Sequence, residues 1–340
     1  MKNLTALKFA LLAALALAAP ARAADKVIYG SDDRADYFAM PETLRRFADS
    51  TVSLWPAEAV ELDRESGRYL LKTFSFAKAY NLCPDVRFRE QEIGAFCSGA
   101  LVGEDLVLTA GHCVQTAESC AAAKFVFGFS VNAEGGRADA LLPAENVYSC
   151  AGIVSRELVL DETGQTPPGA DYALIRLDRK VAGRKPLPVN RTGSLKRGDR
   201  LFVTGHPFGL PLKFGGNASV VYPVDPALAF FKTNLDTFGG NSGSPVFNAD
   251  TGLIEGVHVR GEDSSYIPSF SGCNVYTSRP EGIGRGAGAT KITAVAAAIP
   301  LTPAETAAQA AAETAVASLR AGVQPLGKTA YFEPRSLINY

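Results

Sequence analysis

The sequence predicts an all-β fold built as a sandwich or a barrel. Short apolar runs recur along the chain, and clusters of Gly, Pro, Asn and Asp separate them. Regular short strands bounded by turn residues are typical of these two architectures. The 32 Gly and 20 Pro suit tight turns between strands better than a helical bundle. The strand-like runs cover residues 124–129, 172–177, 200–204, 219–222, 245–247 and 253–259.

The earlier part of the chain adds a predicted hairpin and a short helix. Apolar residues at 100–102 and 106–108 flank a Gly-Glu-Asp turn, which indicates two antiparallel strands. Residues 50–55 and 69–74 have the pattern of strands, and residues 41–48 form a predicted helix with Pro41 at its start. We interpret Trp55, the single Trp, as a core residue.

The overall charge excludes one class of function. The 340 residues include 34 Lys and Arg against 35 Asp and Glu, a formal charge of −1, which excludes charge-driven nucleic-acid binding as the main activity. A hydrophobic fraction of 47% and a charged fraction of 20% are normal for a globular chain and exclude general disorder.

Residues 1–23 have the three parts of a secretion signal. Lys2 and Lys8 form a positive start, an apolar run covers residues 9–19, and Ala21-Arg22-Ala23 is a small-x-small cleavage site. The run is too short to span a bilayer, and an ordinary N-terminal helix is the alternative. We expect an exported chain that is extracellular or periplasmic.

Export makes the six cysteines interpretable as disulfides. An even number in an oxidising compartment indicates three bridges, and six cysteines allow about 15 pairings. A zinc site is the alternative, but the sequence has no CxxC and no paired His near the cysteines.

The C-terminal part has helical character. Thr302, Pro303 and Glu305 have the form of a capping box with Pro at the first helical position, and an Ala-rich stretch continues to Arg320. We expect a helix packed on the body, with a partner-docking tail as the alternative. The predicted organisation is a signal peptide (1–23), an N-terminal segment (24–82), a main domain (83–301), and an Ala-rich helix with its tail (302–340).

Three segments supply a His, an Asp and a Ser in that order. They are Thr-Ala-Gly-His-Cys at 109–113, Asp-Tyr-Ala-Leu-Ile-Arg-Leu at 171–177, and Gly-Asn-Ser-Gly-Ser-Pro at 240–245. A Ser hydroxyl needs an adjacent base, imidazole suits this role, and a buried carboxylate holds the imidazole in one tautomer. Glycines beside the Ser let backbone N–H groups point at a developing oxyanion.

These segments resemble the motifs of the chymotrypsin-like (trypsin-like) serine endopeptidases, over about residues 97–261. The resemblance implies that His112 is the general base, Asp171 its orienting group and Ser242 the nucleophile. It also implies an oxyanion hole formed by the N–H groups of Gly240 and Ser242. The implied fold is two six-stranded antiparallel β-barrels with the site between them, here followed by a C-terminal helix.

Each segment also has an ordinary structural explanation, as a core His, a turn Asp or a Gly-rich turn. The combination in family order outweighs these explanations. An α/β-hydrolase is disfavoured because position 244 is Ser where its elbow requires Gly, and because its chain order is Ser, acid, His.

The resemblance also bears on cysteines and on activation. It implies a Cys97–Cys113 bridge beside the catalytic His, and we expect Cys120–Cys150 and Cys83–Cys273 as the other two. Asn241 replaces the Asp that family members use to bind a freed N-terminus, so this zymogen trigger is expected to be absent. Asn241 and Ser244 resemble the bacterial glutamyl endopeptidase branch. Residues 24–82 are either a removable pro-segment or, as we expect, retained.

The residues that would set specificity give opposing signals. Asp236 lies six residues before Ser242, at the position that the resemblance assigns to the floor of a pocket for Arg or Lys. His258 holds the position that binds an acidic side chain in the glutamyl branch, and Arg260 is nearby in sequence. From the sequence we expect a preference for Arg or Lys before the scissile bond, with a glutamyl endopeptidase as the alternative.

The sequence therefore predicts a secreted serine endopeptidase that acts on proteins or peptides. A catalytically silent pseudoprotease that binds proteins is the alternative from another class. We expect no cofactor, no metal site, no nucleic-acid partner and no stable membrane association. A monomer is the default expectation.

Overall fold

The computed structural model describes residues 27–159, 169–261, 266–307 and 310–311. The chain divides into two compact units, Met1–Ala298 and Ile299–Tyr340. The predicted signal peptide lies outside the described residues, as does most of the Ala-rich tail. Among the described residues, no helix is both long enough and apolar enough to cross a bilayer.

Short strands dominate the first unit, as the sequence predicts. In chain order they are β1 (Ile28–Tyr29), β2 (Ala35–Asp36), β3 (Thr51–Pro56), β4 (Val60–Asp63), β5 (Arg68–Leu71), β6 (Phe74–Ser75), β7 (Glu92–Ile93), β8 (Cys97–Leu101), β9 (Leu106–Thr109), β10 (Ala123–Phe127), β11 (Leu141–Leu142), β12 (Val147–Leu158), β13 (Asp171–Leu177), β14 (Arg200–Gly205), β15 (Lys213–Ser219), β16 (Phe230–Thr233), β17 (Pro245–Asn248), β18 (Ile254–Arg260), β19 (Tyr266–Pro268), β20 (Asn274–Tyr276), β21 (Ser278–Arg279) and β22 (Ala287–Lys291).

Helices of the first unit are short. The α-helices are α1 (Glu42–Asp49), α2 (Phe76–Ala79) and α3 (Ala117–Ala121). The 3₁₀ turns are Tyr37–Ala39, Ala57–Ala59, Ala144–Asn146, Pro207–Gly209, Ile292–Ala294 and Ala296–Ala298.

A closed six-stranded barrel carries the histidine segment and the aspartate segment. Its strand order is β10-β12-β13-β9-β8-β3. The predicted hairpin is confirmed, because β8 and β9 pair antiparallel with Ala100 opposite Leu108. Trp55 is fully buried in a cluster with Val60, Leu71 and Leu142, and its ring packs edge-on against that of Phe129, as expected for a core residue. The barrel places the end of β9 beside the start of β13.

Strand β3 belongs to the closed barrel although it lies before residue 83, where the sequence analysis places the start of the main domain. This strand pairs with both β8 and β10 and so closes the barrel. A domain starting at residue 83 would lack one of its six barrel strands. Residues 27–82 belong to the same compact unit, and many of their apolar side chains, such as those of Val52, Leu54 and Phe76, are buried in it.

The second sheet has seven strands in the order β16-β22-β18-β17-β14-β15-β2. Strand β15 ends at Ser219, so the strand predicted at 219–222 is displaced. Beyond its end, Val220 forms a single antiparallel bridge with Thr233 of β16. This bridge links the β15 end of the sheet to β16 at the opposite edge. Within the described residues, however, only the first sheet is a closed barrel.

Three disulfides connect the expected pairs of cysteines. Cys97–Cys113 joins β8 to the segment after β9, and Cys120–Cys150 joins α3 to β12. Cys83–Cys273 spans 190 residues and joins the segment after α2 to the turn between β19 and β20. Six cysteines are thereby used, and none is free.

In the second unit, the described residues include the start of a helix at residues 303–307. Its predicted capping box is formed, because the Thr302 N–H donates to Glu305 Oε2 at 2.7 Å and the Glu305 N–H donates to Thr302 Oγ1 at 3.2 Å. Most of the predicted continuation to Arg320 lies outside the described residues.

Candidate active site

His112 is held by Asp171 through two hydrogen bonds. Asp171 is the first residue of β13, and His112 lies three residues beyond β9, its antiparallel neighbour in the barrel. The His112 main-chain N–H donates to Asp171 Oδ1 at 3.1 Å, and His112 Nδ1 lies 2.7 Å from Oδ2. Both carboxylate oxygens thus bind one residue, which fixes the position and orientation of the ring.

Gly111 permits this close approach. A Cβ at this position would lie 2.3 Å from the carbonyl oxygen of Glu157 and 2.9 Å from that of Tyr172. Both distances are far inside van der Waals contact, so any side chain would push the histidine segment away from β13.

The carboxylate of Asp171 stays ionised although it is 1% exposed. Burial acts to raise its pKa, but the hydrogen bonds and charge of His112 and the charge of Arg260 outweigh burial, and the pKa is lowered. An ionised Asp171 accepts a hydrogen bond from the N–H at His112 Nδ1. The neutral ring therefore carries its proton on Nδ1, and Nε2 is the basic nitrogen. The His112 side chain is 26% exposed, so this nitrogen is reachable from solvent.

Thr290 anchors Asp171 from the second sheet. The Asp171 N–H donates to Thr290 Oγ1 at 3.0 Å, and the same hydroxyl donates to the Asp171 carbonyl at 2.9 Å. Thr290 lies on β22 and is fully buried. The acid of the site is therefore positioned by both sheets.

Ser242 lies in a turn that requires glycine on both sides. Gly240 and Gly243 each have a φ of +89°, in the region that favours glycine. A Cβ on Gly243 would lie 2.0 Å from the carbonyl oxygen of Ser98, and one on Gly240 would lie 2.4 Å from that of His206. Local geometry thus requires glycine at positions 240 and 243.

Main-chain hydrogen bonds hold this turn on both sides of Ser242. The Ser98 N–H donates to the Ser242 carbonyl at 2.8 Å, and the Gly243 N–H donates to the His258 carbonyl at 2.7 Å. The Ser244 N–H donates to the Asn241 carbonyl at 2.9 Å. Within the described residues, the N–H groups of Gly240 and Ser242 donate to no acceptor, as oxyanion donors require.

The structure brings the histidine and serine segments together at the Cys97–Cys113 bridge. Cys113 Sγ lies 3.7 Å from the carbonyl oxygen of Ser242, and Cys113 directly follows His112. In the part of the chain that is described, the Ser242 hydroxyl makes no hydrogen bond, so proton transfer to His112 remains a prediction.

Asp236 is bound by the N-terminal segment. Its Oδ1 accepts a hydrogen bond from the Tyr29 N–H at 2.7 Å, and its Oδ2 accepts one from the Asp33 N–H at 3.4 Å. Burial is the largest cause that raises its pKa, to about 7, and the charges of Asp33 and Asp32 act in the same direction. The carboxyl is therefore partly protonated at neutral pH.

His258 and Arg260 both lie on β18, which follows the Ser242 turn and β17. His258 is fully buried, and its main chain binds Gly243 and Ser244. Arg260 Nη2 donates to the Gly169 carbonyl at 2.7 Å, and its guanidinium lies 5.2 Å from the Phe230 ring centre. Burial lowers the pKa of Arg260, while the charge of Asp171 acts to raise it.

His206, the third histidine, has a structural role. Its Nδ1 lies 3.0 Å from the Leu210 carbonyl, and burial lowers its pKa to about 3, so the ring is neutral. Cys97, His112 and Cys113 also place three ligand-type atoms within 4.8 Å of one another. Because the two sulfurs are joined in a disulfide, they offer no thiolates for a metal.

Sequence reasoning missed Ser98, Thr290 and Tyr29. Ser98 and Thr290 are single hydroxyl residues within strands, and Tyr29 acts only through its main chain. The one available signal was that Ser98 follows Cys97, a residue already placed beside the site.

Comparisons with known proteins give a peptidase family model and two kinds of relative. A family model described as a trypsin-like peptidase domain matches residues 97–257. A glutamyl endopeptidase of Staphylococcus epidermidis is 29% identical over 180 residues, which cover 51% of this chain and 56% of the relative. The secreted RxLR effector protein 73 of Plasmopara viticola is 26% identical over 228 residues, or 61% of this chain and 52% of the relative. The chain spans about half the length of these relatives.

Solved structures are also similar. A Glu endopeptidase in complex with MPD has a TM-score of 0.43 at 16% identity and covers 80% of this chain and 97% of its own. The Vibrio cholerae VesB protease has a TM-score of 0.46 at 16% identity and covers 81% of this chain and 67% of its own.

Proposed function

Because this chain carries a trypsin-like serine peptidase domain with similarity to the glutamyl endopeptidases, we propose that it is an endopeptidase acting through an acyl-enzyme on Ser242. The observation that carries the proposal is the double hydrogen bond between His112 and the buried Asp171, beside the glycine turn that holds Ser242.

The proposed mechanism assigns a chemical role to each of these groups. His112 Nε2 removes the proton of the Ser242 hydroxyl as its oxygen attacks the peptide carbonyl, and Asp171 stabilises the imidazolium that forms. The N–H groups of Gly240 and Ser242 bind the oxyanion. His112 then donates the proton to the leaving amine, and water hydrolyses the acyl-enzyme through the same base.

Replacement of the nucleophile tests this mechanism. We expect Ser242→Ala to keep the fold and to lose both peptide hydrolysis and labelling by a fluorophosphonate, which reacts only with an activated serine. Undiminished hydrolysis by the variant would exclude the mechanism. A wild-type protein that folds but neither cleaves nor labels would instead support the pseudoprotease alternative.

For the residue before the scissile bond we propose an acidic preference, which was the alternative in the sequence analysis. The Arg or Lys preference depends on a free, charged Asp236. Its two oxygens instead accept hydrogen bonds from Tyr29 and Asp33, and its pKa is raised to about 7 by burial and neighbouring acids. The similarity to glutamyl endopeptidases and the positions of His258 and Arg260 on β18 also support an acidic preference.

Cleavage-site profiling on a mixed peptide library distinguishes the two preferences. We expect cuts after Glu, lost in His258→Ala and retained in Asp236→Asn. Cuts after Arg or Lys that disappear in Asp236→Asn would overturn the acidic preference and assign specificity to Asp236.

We also propose that the protein is secreted and that its second sheet serves as the second barrel of the family. The signal-like N-terminus and three disulfides support secretion. The Val220–Thr233 bridge supports closure of the second sheet. Because β3 completes the first barrel, we further propose that the segment from residue 27 is retained in the active protein.

A further inference from the structure

Ser98 connects the first barrel to the turn that holds Ser242. It is the second residue of β8, follows the disulfide-bonded Cys97, and is 0% exposed. Its hydroxyl donates to the Gly240 carbonyl at 2.8 Å and accepts from the His206 N–H at 2.9 Å. Its own N–H donates to the Ser242 carbonyl at 2.8 Å.

The direction of these hydrogen bonds is fixed by the chemistry of the partners. The His206 N–H is only a donor, so Ser98 Oγ accepts there. The Gly240 carbonyl is only an acceptor, so the single hydroxyl proton of Ser98 points to it. All three partners are main-chain groups. Thr109 Oγ1 also donates to the Ser98 carbonyl at 2.7 Å, which holds Ser98 itself in place.

Ser98 acts where the turn has the greatest conformational freedom. Gly240, with a φ of +89° and no side chain, has no intrinsic preference that would hold its peptide groups in one orientation. Ser98 binds the carbonyls of Gly240 and Ser242, which lie in the peptide groups that directly follow those carrying the two N–H groups of the proposed oxyanion hole. Holding these following peptide groups restricts rotation about the backbone bonds of both residues. A donor contributes to catalysis only if it is already aimed at the oxyanion before reaction.

We propose that Ser98 is a positioning residue that holds the Gly240 and Ser242 N–H groups in their oxyanion-binding orientation. The proposal rests on the proposed peptidase function. Ser98 does not touch the substrate or the reacting atoms. Its contribution is realised in the transition state, so its loss lowers kcat and leaves KM unchanged.

Thr51 provides a matched control, which separates this role from a general contribution to packing between the two sheets. Thr51 on β3 is also buried, and its hydroxyl lies 2.6 Å from that of Thr204 on β14, so it too links the first barrel to the second sheet. Thr51 has no contact with the 240–243 turn among the described hydrogen bonds. Thr51→Val therefore removes a buried hydroxyl of comparable environment without affecting the proposed oxyanion hole.

The test compares Ser98→Ala, Ser98→Thr and Thr51→Val with the wild type on a cleaved peptide substrate and a peptide aldehyde inhibitor. We expect Ser98→Ala to lower kcat about tenfold at constant KM and to weaken aldehyde binding by the same factor, since the aldehyde adduct mimics the oxyanion. Ser98→Thr keeps the hydroxyl and should recover most of this loss. Thr51→Val should change thermal stability alone.

Several outcomes would overturn the proposal. These are an unchanged kcat and aldehyde affinity in Ser98→Ala, an equal loss of both in Thr51→Val, and a rise in KM without a change in kcat. If Ser98→Ala does not fold, a Ser98→Thr variant with wild-type stability and tenfold lower aldehyde affinity would also contradict it. Faster amide exchange of Gly240 and Ser242 in Ser98→Ala would support the proposal without any turnover. A folded wild-type protein that neither hydrolyses peptides nor reacts with the fluorophosphonate would instead refute the peptidase function itself.

Discussion

At the scale of single residues, the site depends on Asp171 being held on every side. Its two carboxylate oxygens bind His112, and its main chain binds the Thr290 hydroxyl. A carboxylate this deeply buried would ordinarily resist ionisation, and the His112 hydrogen bonds are what lower its pKa. The orientation of the base and the charge of the acid therefore depend on the same contacts.

Asp171→Asn tests this dependence. The amide has nearly the same shape, but an amide N–H facing Nδ1 would move the histidine proton to Nε2, where it blocks proton uptake from Ser242. We expect kcat to fall about 10⁴-fold while the circular dichroism spectrum stays unchanged. The control is Asp178→Asn, which alters an exposed carboxylate just beyond the same strand. Activity of Asp171→Asn within tenfold of wild type would contradict the assigned role.

At this scale the sequence indicated some residues of the candidate site and gave no sign of others. His112, Asp171 and Ser242 were identifiable because each stands in a segment whose neighbours are constrained too, such as Gly111 and Gly243. Ser98 and Thr290 were not, because their hydrogen bonds exist only after two sheets pack together. A lone hydroxyl residue in a strand has the same local pattern whether or not it contacts a site.

At the scale of elements, strands with a continuous run of apolar residues could be predicted. A strand whose polar residues are buried only through contacts with distant segments could not. Strands β9, β13 and β18 were predicted from their apolar residues. Strand β15 was missed because its Gly-Gly-Asn centre has low β propensity. Its Lys213 is buried because the ammonium lies 2.7 Å from Asp36 of β2, a partner distant in sequence, and also donates to Gln91 Oε1 and to the Pro211 carbonyl.

The turn after β16 that carries Ser242 allows a test at this scale. Gly243→Ala would place a Cβ 2.0 Å from the Ser98 carbonyl at a φ of +89°. We expect a loss of more than about 1 kcal/mol in unfolding free energy, with loss of fluorophosphonate labelling, because strain and clash displace the turn.

Gly239→Ala is the matched control for unfolding free energy. A Cβ at Gly239 would meet nothing within 4 Å, so urea titration should show little change. Equal stability of the two variants would show that the turn adapts to a side chain at position 243.

At the scale of the whole molecule, residues 27–36 tie the N-terminal segment to distant parts of the fold. Strand β1 pairs parallel with β21, and β2 adds to the edge of the second sheet beside β15. In β1 itself, the Tyr29 N–H donates to Asp236 Oδ1, 207 positions away in sequence. Length and composition could not predict these contacts, because they join short segments through main-chain atoms.

Asp236 gives these contacts a predicted pH dependence. Burial raises its pKa from the ordinary aspartate value, about 4, to about 7, so the folded state binds a proton that the unfolded state releases above about pH 4. Its contribution to stability is therefore fully present below the unfolded pKa and is lost as the pH rises to about 7. Asp236→Asn removes the titration and keeps an oxygen that accepts the Tyr29 N–H. We expect the variant to match the wild type near pH 4 and to be more stable at pH 8 by up to about 3 kcal/mol. Urea unfolding at the two pH values measures this difference, with Asp178→Asn as the exposed control. A variant that is less stable than the wild type at pH 8 would show that Asp236 is held in its charged form.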